Sequence, residues 1–305
     1  MKGSSVYGES SILAFYKSIF VPSIRPAFCK CIPSIFYNFF FCQHRAAFLP
    51  GRIPVSKVDH PLDEKIPFMP SWVTIYIDFV NYWIRMLSFL LRRYGRKSYP
   101  HVRDFIKSMG ELYAFAAKVY GKNLSTTKRP FYISRPRFFV IHLFDPHLMC
   151  IPSLHVMVVI HTYTQFAAIA QKLKDEDSLK DQLLEMKHGA LSISQAILFV
   201  KQHSVNCISA ALYAMTRFSP DLFPPQEAAA FTALLFSPAP DAKNAPRGSR
   251  VHPSAAPLTK LSETDKAQIK SHILSLYRRF LQEGENSMSW ETPLINFLKS
   301  SSASL

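Results

Sequence analysis

The 305-residue chain carries 36 Lys and Arg against 21 Asp and Glu, a net charge of +15, with 48% apolar and 13% aromatic residues. This composition excludes a disordered chain, which would be poor in both apolar and aromatic side chains. With 9 Gly and 22 Pro, where average usage gives roughly 21 and 15, the chain is also too poor in glycine to favour a doubly wound nucleotide-binding fold, whose phosphate loops depend on that residue.

Five cysteines, Cys29, Cys31, Cys42, Cys150 and Cys207, are too irregularly spaced for a disulfide framework. Cys29 and Cys31 have no second half to complete a zinc site. All five read as small apolar residues in apolar segments. The positive charge has two ordinary origins, a nucleic-acid surface or basic loops flanking membrane spans. The placement of Lys and Arg along the chain decides between them.

Near the start, Lys17 interrupts the apolar run and no small-residue cleavage site follows, so no cleavable signal peptide is expected. Residues 31–44 are uncharged but too short to cross a bilayer by themselves, which leaves one poorly formed span between residues 10 and 48. Residues 72–91 (WVTIYIDFVNYWIRMLSFLL) are the first long apolar run, with Asp78 and Arg85 as its charges. A basic stretch follows, Arg92, Arg93, Arg96, Lys97 and Arg103. Residues 106–121 are moderately apolar and lead into a second basic stretch ending at Arg137. From Pro146 to Gln171 there is no charge, and the part after Pro152 reads as a helix. A mixed-charge loop covers 172–187, and the apolar run 188–216 is interrupted by Lys201, which suggests two shorter helices meeting at a polar turn.

Because the cations punctuate apolar runs and do not cluster with aromatics on one surface, nucleic-acid binding is not expected. The expected fold is all-α, a polytopic membrane helix bundle of about six spans. Beyond the span in 10–48, these lie near 72–91, 102–121, 154–171, 188–200 and 204–216. A packed helical core is the plain alternative, since the mean hydropathy of +0.04 is low for a polytopic protein. The chain divides into a lead-in at 1–59, a central unit at 60–216 and a tail at 217–305. The first part of the tail is rich in Pro, Ala and Ser and reads as linker. Its second part sets Ile269, Ile273, Leu276 and Phe280 near helical spacing behind Ser262 or Thr264 as a cap, an amphipathic helix.

Three short stretches carry chemistry. Lys122 is followed after six residues by Arg129 and Pro130; then come Pro152-Ser153-Leu154-His155 and Lys201-Gln202-His203-Ser204. Two such cations can clamp a phosphate, Arg129 as a bidentate fork and Lys122 as a point charge. One histidine can attack phosphorus while another protonates the leaving oxygen. His142, Asp145 and His147 have a spacing compatible with a metal, but no further element joins them and no metal is expected.

Together and in this order, the three stretches resemble the signatures of the phosphatidic acid phosphatase type 2 superfamily. The surroundings LDEKIPFMPSW (62–72) and DPHLMCIPSLHV (145–156), with the Lys-Gln-His-Ser run, resemble the branch related to inositol phosphorylceramide synthases. The resemblance covers about half of the chain. It implies an integral-membrane lipid phosphatase or phosphotransferase that works through a phosphohistidine and needs no cofactor. In that mechanism His203 attacks phosphorus, and His155 protonates the leaving group. Lys122, Arg129 and possible third cation Lys201 neutralise phosphoryl oxygens, and Ser153 donates a hydrogen bond. The implied partners are a membrane and a phosphorylated lipid. The implied site faces away from the cytoplasm, and the positive-inside tendency of the 92–103 loop puts the tail in the cytoplasm. The oligomeric state stays open.

The third signature departs from the family. Its Ser-Arg pair is replaced by Ala196 and Ile197, and its Asp, which orients the attacking histidine, by Cys207. A second reading follows, a catalytically impaired relative that binds lipid phosphate without hydrolysing it efficiently.

Overall fold

Apolar residues three and four apart fix one face of each long helix, and those faces meet around a central helix. A computed structural model describes residues 5–49, 51–132, 136–237 and 260–302, and it is mostly helical. The lead-in forms α1 (Ser11–Phe20), α2 (Arg25–Ile35) and, after a π-helical turn at Phe36–Phe41, α3 (Cys42–Phe48). Strand β1 (Val55–Lys57) follows, then α4 (Phe79–Tyr94) and α5 (Tyr99–Tyr120). Next come β2 (Leu124–Thr126), α6 (Leu154–Lys172), α7 (Lys180–Phe199) and α8 (Val205–Phe218). The tail supplies α9 (Pro225–Leu234), α10 (Glu263–Glu285) and α11 (Thr292–Ser302).

Helix α6 is apolar on every side through Val156, Met157, Val158, Val159 and Ile160, all fully buried. Such a helix belongs in the middle of a bundle, and α4, α5, α7 and α8 pack around it. Helix α5 shows the outer ring's pattern: Val102, Phe105, Ile106, Met109 and Leu112 face inward, while Arg103, Asp104, Lys107 and Glu111 are exposed. The break expected at Lys201 is present, with α7 and α8 meeting at a turn where Lys201 has φ +55°.

Among the described residues no single helix is long and apolar enough to cross a bilayer, although α1 and the segment Arg25–Phe48, bent by 114°, meet the length and composition requirement together. The apolar run at 72–91 is split, because Val73–Tyr76 is a separate turn of helix and α4 starts only at Phe79. Its two charges satisfy each other, with Arg85 Nη1 and Nη2 donating to Asp78 at 2.8 and 3.0 Å.

The tail departs most from the sequence expectation. Part of the Pro- and Ala-rich stretch is core, not linker, since Phe223, Phe231 and Phe236 are fully buried. Helix α10 is capped by Ser262, whose Oγ accepts from Asp265 N at 3.0 Å, and it buries Ile269, Ile273, Leu276 and Phe280 as expected. This helix lies along α8, with its outward face carrying Glu263, Arg278, Arg279 and Glu285. Its start touches the end of the bundle that holds the third signature: His272 Nε2 contacts Asn206 Oδ1 at 2.8 Å. Lys65 Nζ donates to Asp265 at 2.8 Å. The start of the tail helix therefore lies at the same end of the bundle as the third signature.

One sheet was not foreseen. Strands β1 and β2 pair in parallel, Val55 with Leu124 through Lys57 with Thr126. Asn123 Nδ2 donates to Ser56 Oγ at 2.8 Å, and Ser56 Oγ donates to Leu298 O of α11 at 2.7 Å. Lead-in, central unit and tail thus share one hydrophobic core.

The lead-in locks to the bundle at Gly189, where a Cβ would collide with the Tyr7 hydroxyl and approach Tyr82 Cε2 to 2.8 Å. Tyr82 is fully buried and cannot move aside. Gly189→Ala should cost about 1–3 kcal/mol by overpacking, read as a lower urea midpoint with an unchanged slope.

Candidate active site

Strand β2 builds the floor of the site. Ser125 N donates to Leu148 O at 3.0 Å, Cys150 N donates to Ser125 O at 3.2 Å, and Ile151 N donates to Ser125 Oγ at 2.8 Å. These bonds hold the segment just before Pro152 against the sheet, so Ser153 opens α6 and His155 lies in its first turn. From the other side, the turn between α7 and α8 is tied down by Gln202 N and His203 N, which both donate to Ile197 O, at 3.0 and 3.2 Å. Asp63 Oδ1 accepts from Val205 N at 2.9 Å, so the acidic residue of the 62–72 segment serves the N-terminus of α8.

The result brings His155 and His203 together, with ring centroids 5.4 Å apart. His147 joins them, 6.4 Å from His203. The His155 ring stacks on Tyr76 at 4.5 Å, which sets its plane. Asp145 Oδ1 accepts from His147 N and from Gln43 Nε2 of the lead-in, both at 2.8 Å. Thr127 Oγ1 contacts His147 Nε2 at 2.8 Å. Among the described residues no group of three or more His, Cys, Asp or Glu is placed to hold a metal ion; the His142 side chain lies outside the described atoms.

Two buried polar atoms here have no hydrogen-bond partner, His203 Nδ1 and Ser153 Oγ. Unpaired buried groups are uncommon, because each carries a desolvation cost of about 1–3 kcal/mol. Ser153 lies two residues before His155, and its hydroxyl is able to donate to an oxygen of a bound anion, while His203 Nδ1 lacks the carboxylate partner that orients an attacking histidine.

Arg129 links two spaces. Its Nη1 donates to Gln202 Oε1 at 3.2 Å and its Nη2 to Asp145 O at 3.1 Å. The histidines border a void of about 20 Å³, enough for about one water. Arg129, Lys128 and Lys201 line a neighbouring cavity of about 570 Å³ together with Asp59, Asp63 and Phe68. Lys201 Nζ donates to Asp63 O. Burial pushes the Lys201 ammonium below its usual value, and the Asp63 and Glu64 carboxylates oppose that shift. Burial also drives the His203 imidazole down to about 3, with His147 adding to the effect, so His203 is neutral near pH 7.

Lys122 is not with them. It sits before β2, at the end away from Arg129, and its Nζ donates to Glu291 Oε1 of the tail at 2.8 Å. Burial raises the Glu291 carboxyl, but hydrogen bonds from Lys122 and Ser289 outweigh it and hold it at about 2. On a phosphorylated lipid, the substrate class that the sequence resemblance implies, Arg129→Ala is expected to lower kcat/KM by on the order of a hundredfold, the loss of a charged hydrogen-bond donor, and Lys122→Ala by less than about tenfold. A steady-state comparison on one phosphorylated lipid reads the difference; equal losses would restore Lys122 to the phosphate clamp.

Ala196 and Ile197 are fully buried in α7, and Ile197 contributes its carbonyl, not a cation. Cys207 is fully buried in the first turn of α8. Neighbouring Asn206 is engaged elsewhere, donating to Val58 O at 3.1 Å and contacting His272. Sequence reasoning singled out His147 only as a metal candidate and did not include Gln43, Asp63 or Thr127. Their roles depend on contacts across 20 to 142 residues of chain. Gln202 was visible inside the Lys-Gln-His-Ser run. Compared with protein-family models, curated proteins and solved structures, the chain finds no match.

Proposed function

We propose that this chain is a membrane-bound phosphoesterase or phosphotransferase acting on a lipid phosphate or diphosphate through a phosphohistidine. The observation that carries the reading is the pair of buried histidines 5.4 Å apart beside a cavity lined by Arg129 and Lys201. In the reaction the neutral His203 imidazole attacks phosphorus, and the bond from phosphorus to the leaving oxygen breaks. His155, which burial and the neighbouring histidines push down to about 3 against the pull of Asp145, takes up a proton together with the anionic substrate and delivers it to that oxygen. Water, or an acceptor hydroxyl, then attacks the phosphohistidine, passes its proton back to His155 and restores His203. Arg129 and Lys201 offset the charge on the phosphoryl oxygens, and Ser153 donates its unpaired hydroxyl.

Membrane attachment is supported by the bent pair formed by α1 and Arg25–Phe48. In the six-span arrangement expected from the sequence, the outward face of α5, with Arg103, Lys107 and Glu111 exposed, would meet lipid. Each charge there costs about 2.5–3.5 kcal/mol even on the lenient scale. Attachment through the lead-in avoids that cost.

The unpaired His203 Nδ1 supports the second reading, a slow relative that binds lipid phosphate. Phosphate release from phosphatidic acid and from a polyprenyl diphosphate by the purified protein tests both. Release above that of His203→Ala supports catalysis, and saturable binding without release supports the impaired form.

A further inference from the structure

The lead-in has an outer face unlike any other part of the surface. Of the 19 large apolar side chains exposed among the described residues, 12 lie between Ile12 and Leu49. Ile12 is 76% exposed, Phe20 63%, Phe36 62% and Phe48 80%. Monomeric surfaces rarely gather apolar area this way unless it meets a partner or a membrane.

The charge of the same segment selects the partner. No Asp or Glu occurs between Glu9 and Asp59, while Lys17, Arg25, Lys30, Arg45, Arg52 and Lys57 do. Exposed aromatics among cations, without acids, match a leaflet with anionic headgroups. The shape selects the mode. Arms of 10 and 24 residues meeting at 114° reach only about 15 and 36 Å along different directions, and the inner side of α1 is held on the bundle, where Ala14 N donates to Ser88 Oγ at 3.1 Å. The outer side is therefore free to lie in one leaflet, and the bundle stays outside the hydrocarbon.

We propose that the lead-in, α1 to α3, is a monotopic anchor that seats the protein on one anionic leaflet. It also sets the distance from lipid to site, because Phe39 borders the histidine void and Gln43 holds Asp145. The inner side of the anchor thus forms part of the wall around the histidines. This attachment builds on the membrane part of the function proposed above and is independent of its phosphoryl chemistry.

The test is co-sedimentation of the full chain with phosphatidylcholine vesicles and with vesicles containing phosphatidylglycerol. The wild type should prefer the anionic vesicles. Combined Lys17→Gln, Arg25→Gln and Lys30→Gln should weaken anionic binding on the order of a hundredfold. Combined Phe20→Ser, Phe36→Ser and Phe40→Ser, all at exposed positions, should weaken binding to both vesicle types at least about tenfold, with the helical circular dichroism retained. His203→Ala should bind as the wild type does, so a failed phosphoryl reaction leaves this proposal standing. Three results would overturn it: equal binding by the wild type and the serine variant; a wild-type dimer that the serine variant splits, with no vesicle binding; or a serine variant that resists alkaline extraction from membranes, as six spans require.

Discussion

His203→Ala should reduce turnover of a lipid phosphate by on the order of 10³ or more, since a missing nucleophile removes the covalent step altogether. Brief exposure of the wild type to labelled substrate should trap acid-labile, base-stable label on His203, and the variant should trap none. His155→Ala should behave differently. Its label should still form with a good leaving group, because the attacking imidazole remains, while turnover of a poor leaving group collapses. Label on the His203 variant would refute the assignment. Burial fixes the expected pH behaviour as well. A histidine held down to about 3 stays unprotonated across the working range, so the acid limb of kcat/KM that reports this group should lie below pH 5. The same shift has a stability consequence of definite sign. Between about pH 6.5 and pH 3 the unfolded chain binds the proton that the folded chain refuses. The contribution of His203 to stability is full above about pH 6.5 and is lost as the pH drops through that window, in the same direction as those of His155 and His161, which burial also holds down to about 3.

The chemistry-bearing residues were visible in the sequence because short spacing fixes them locally. His155 three residues after Pro152, and His203 inside a polar break between two apolar runs, are features of a few consecutive residues, as is the Ser262 cap of α10 with its helical stripe. The spatial company of those residues is not local. Lys122 and Arg129 read as one clamp from their spacing. In the fold, β2 lies between them and Glu291, 169 residues away, takes up Lys122. The two strands, three residues each, have no period to detect, and their parallel pairing joins segments 69 residues apart in register. Phe223, Phe231 and Phe236 were masked by the prolines and alanines around them. The apolar runs were legible as apolar, but composition alone does not tell a fully buried helix such as α6 from a membrane span.

Cys207→Asp should raise turnover by about ten- to a thousandfold, if the carboxylate recovers part of the factor of about 10⁴ that such a group contributes in a serine protease triad. Cys207 follows His203 by four residues in the first turn of α8, where a negative charge is also favoured by the helix N-terminus. His203 Nδ1 has no partner to satisfy first. Asn206 cannot substitute, because both ends of its amide are committed to Val58 and His272. A carboxylate that accepts from Nδ1–H would fix the tautomer and stabilise the cationic histidine formed on phosphorylation. Its burial is costly, so the variant should unfold at lower urea than the wild type even as it turns over faster. Cys207→Asn separates charge from shape: it has similar size and an acceptor oxygen but no charge, and should gain much less. An Asp variant with intact circular dichroism and no gain in turnover would mean that the lost carboxylate is not what limits this site.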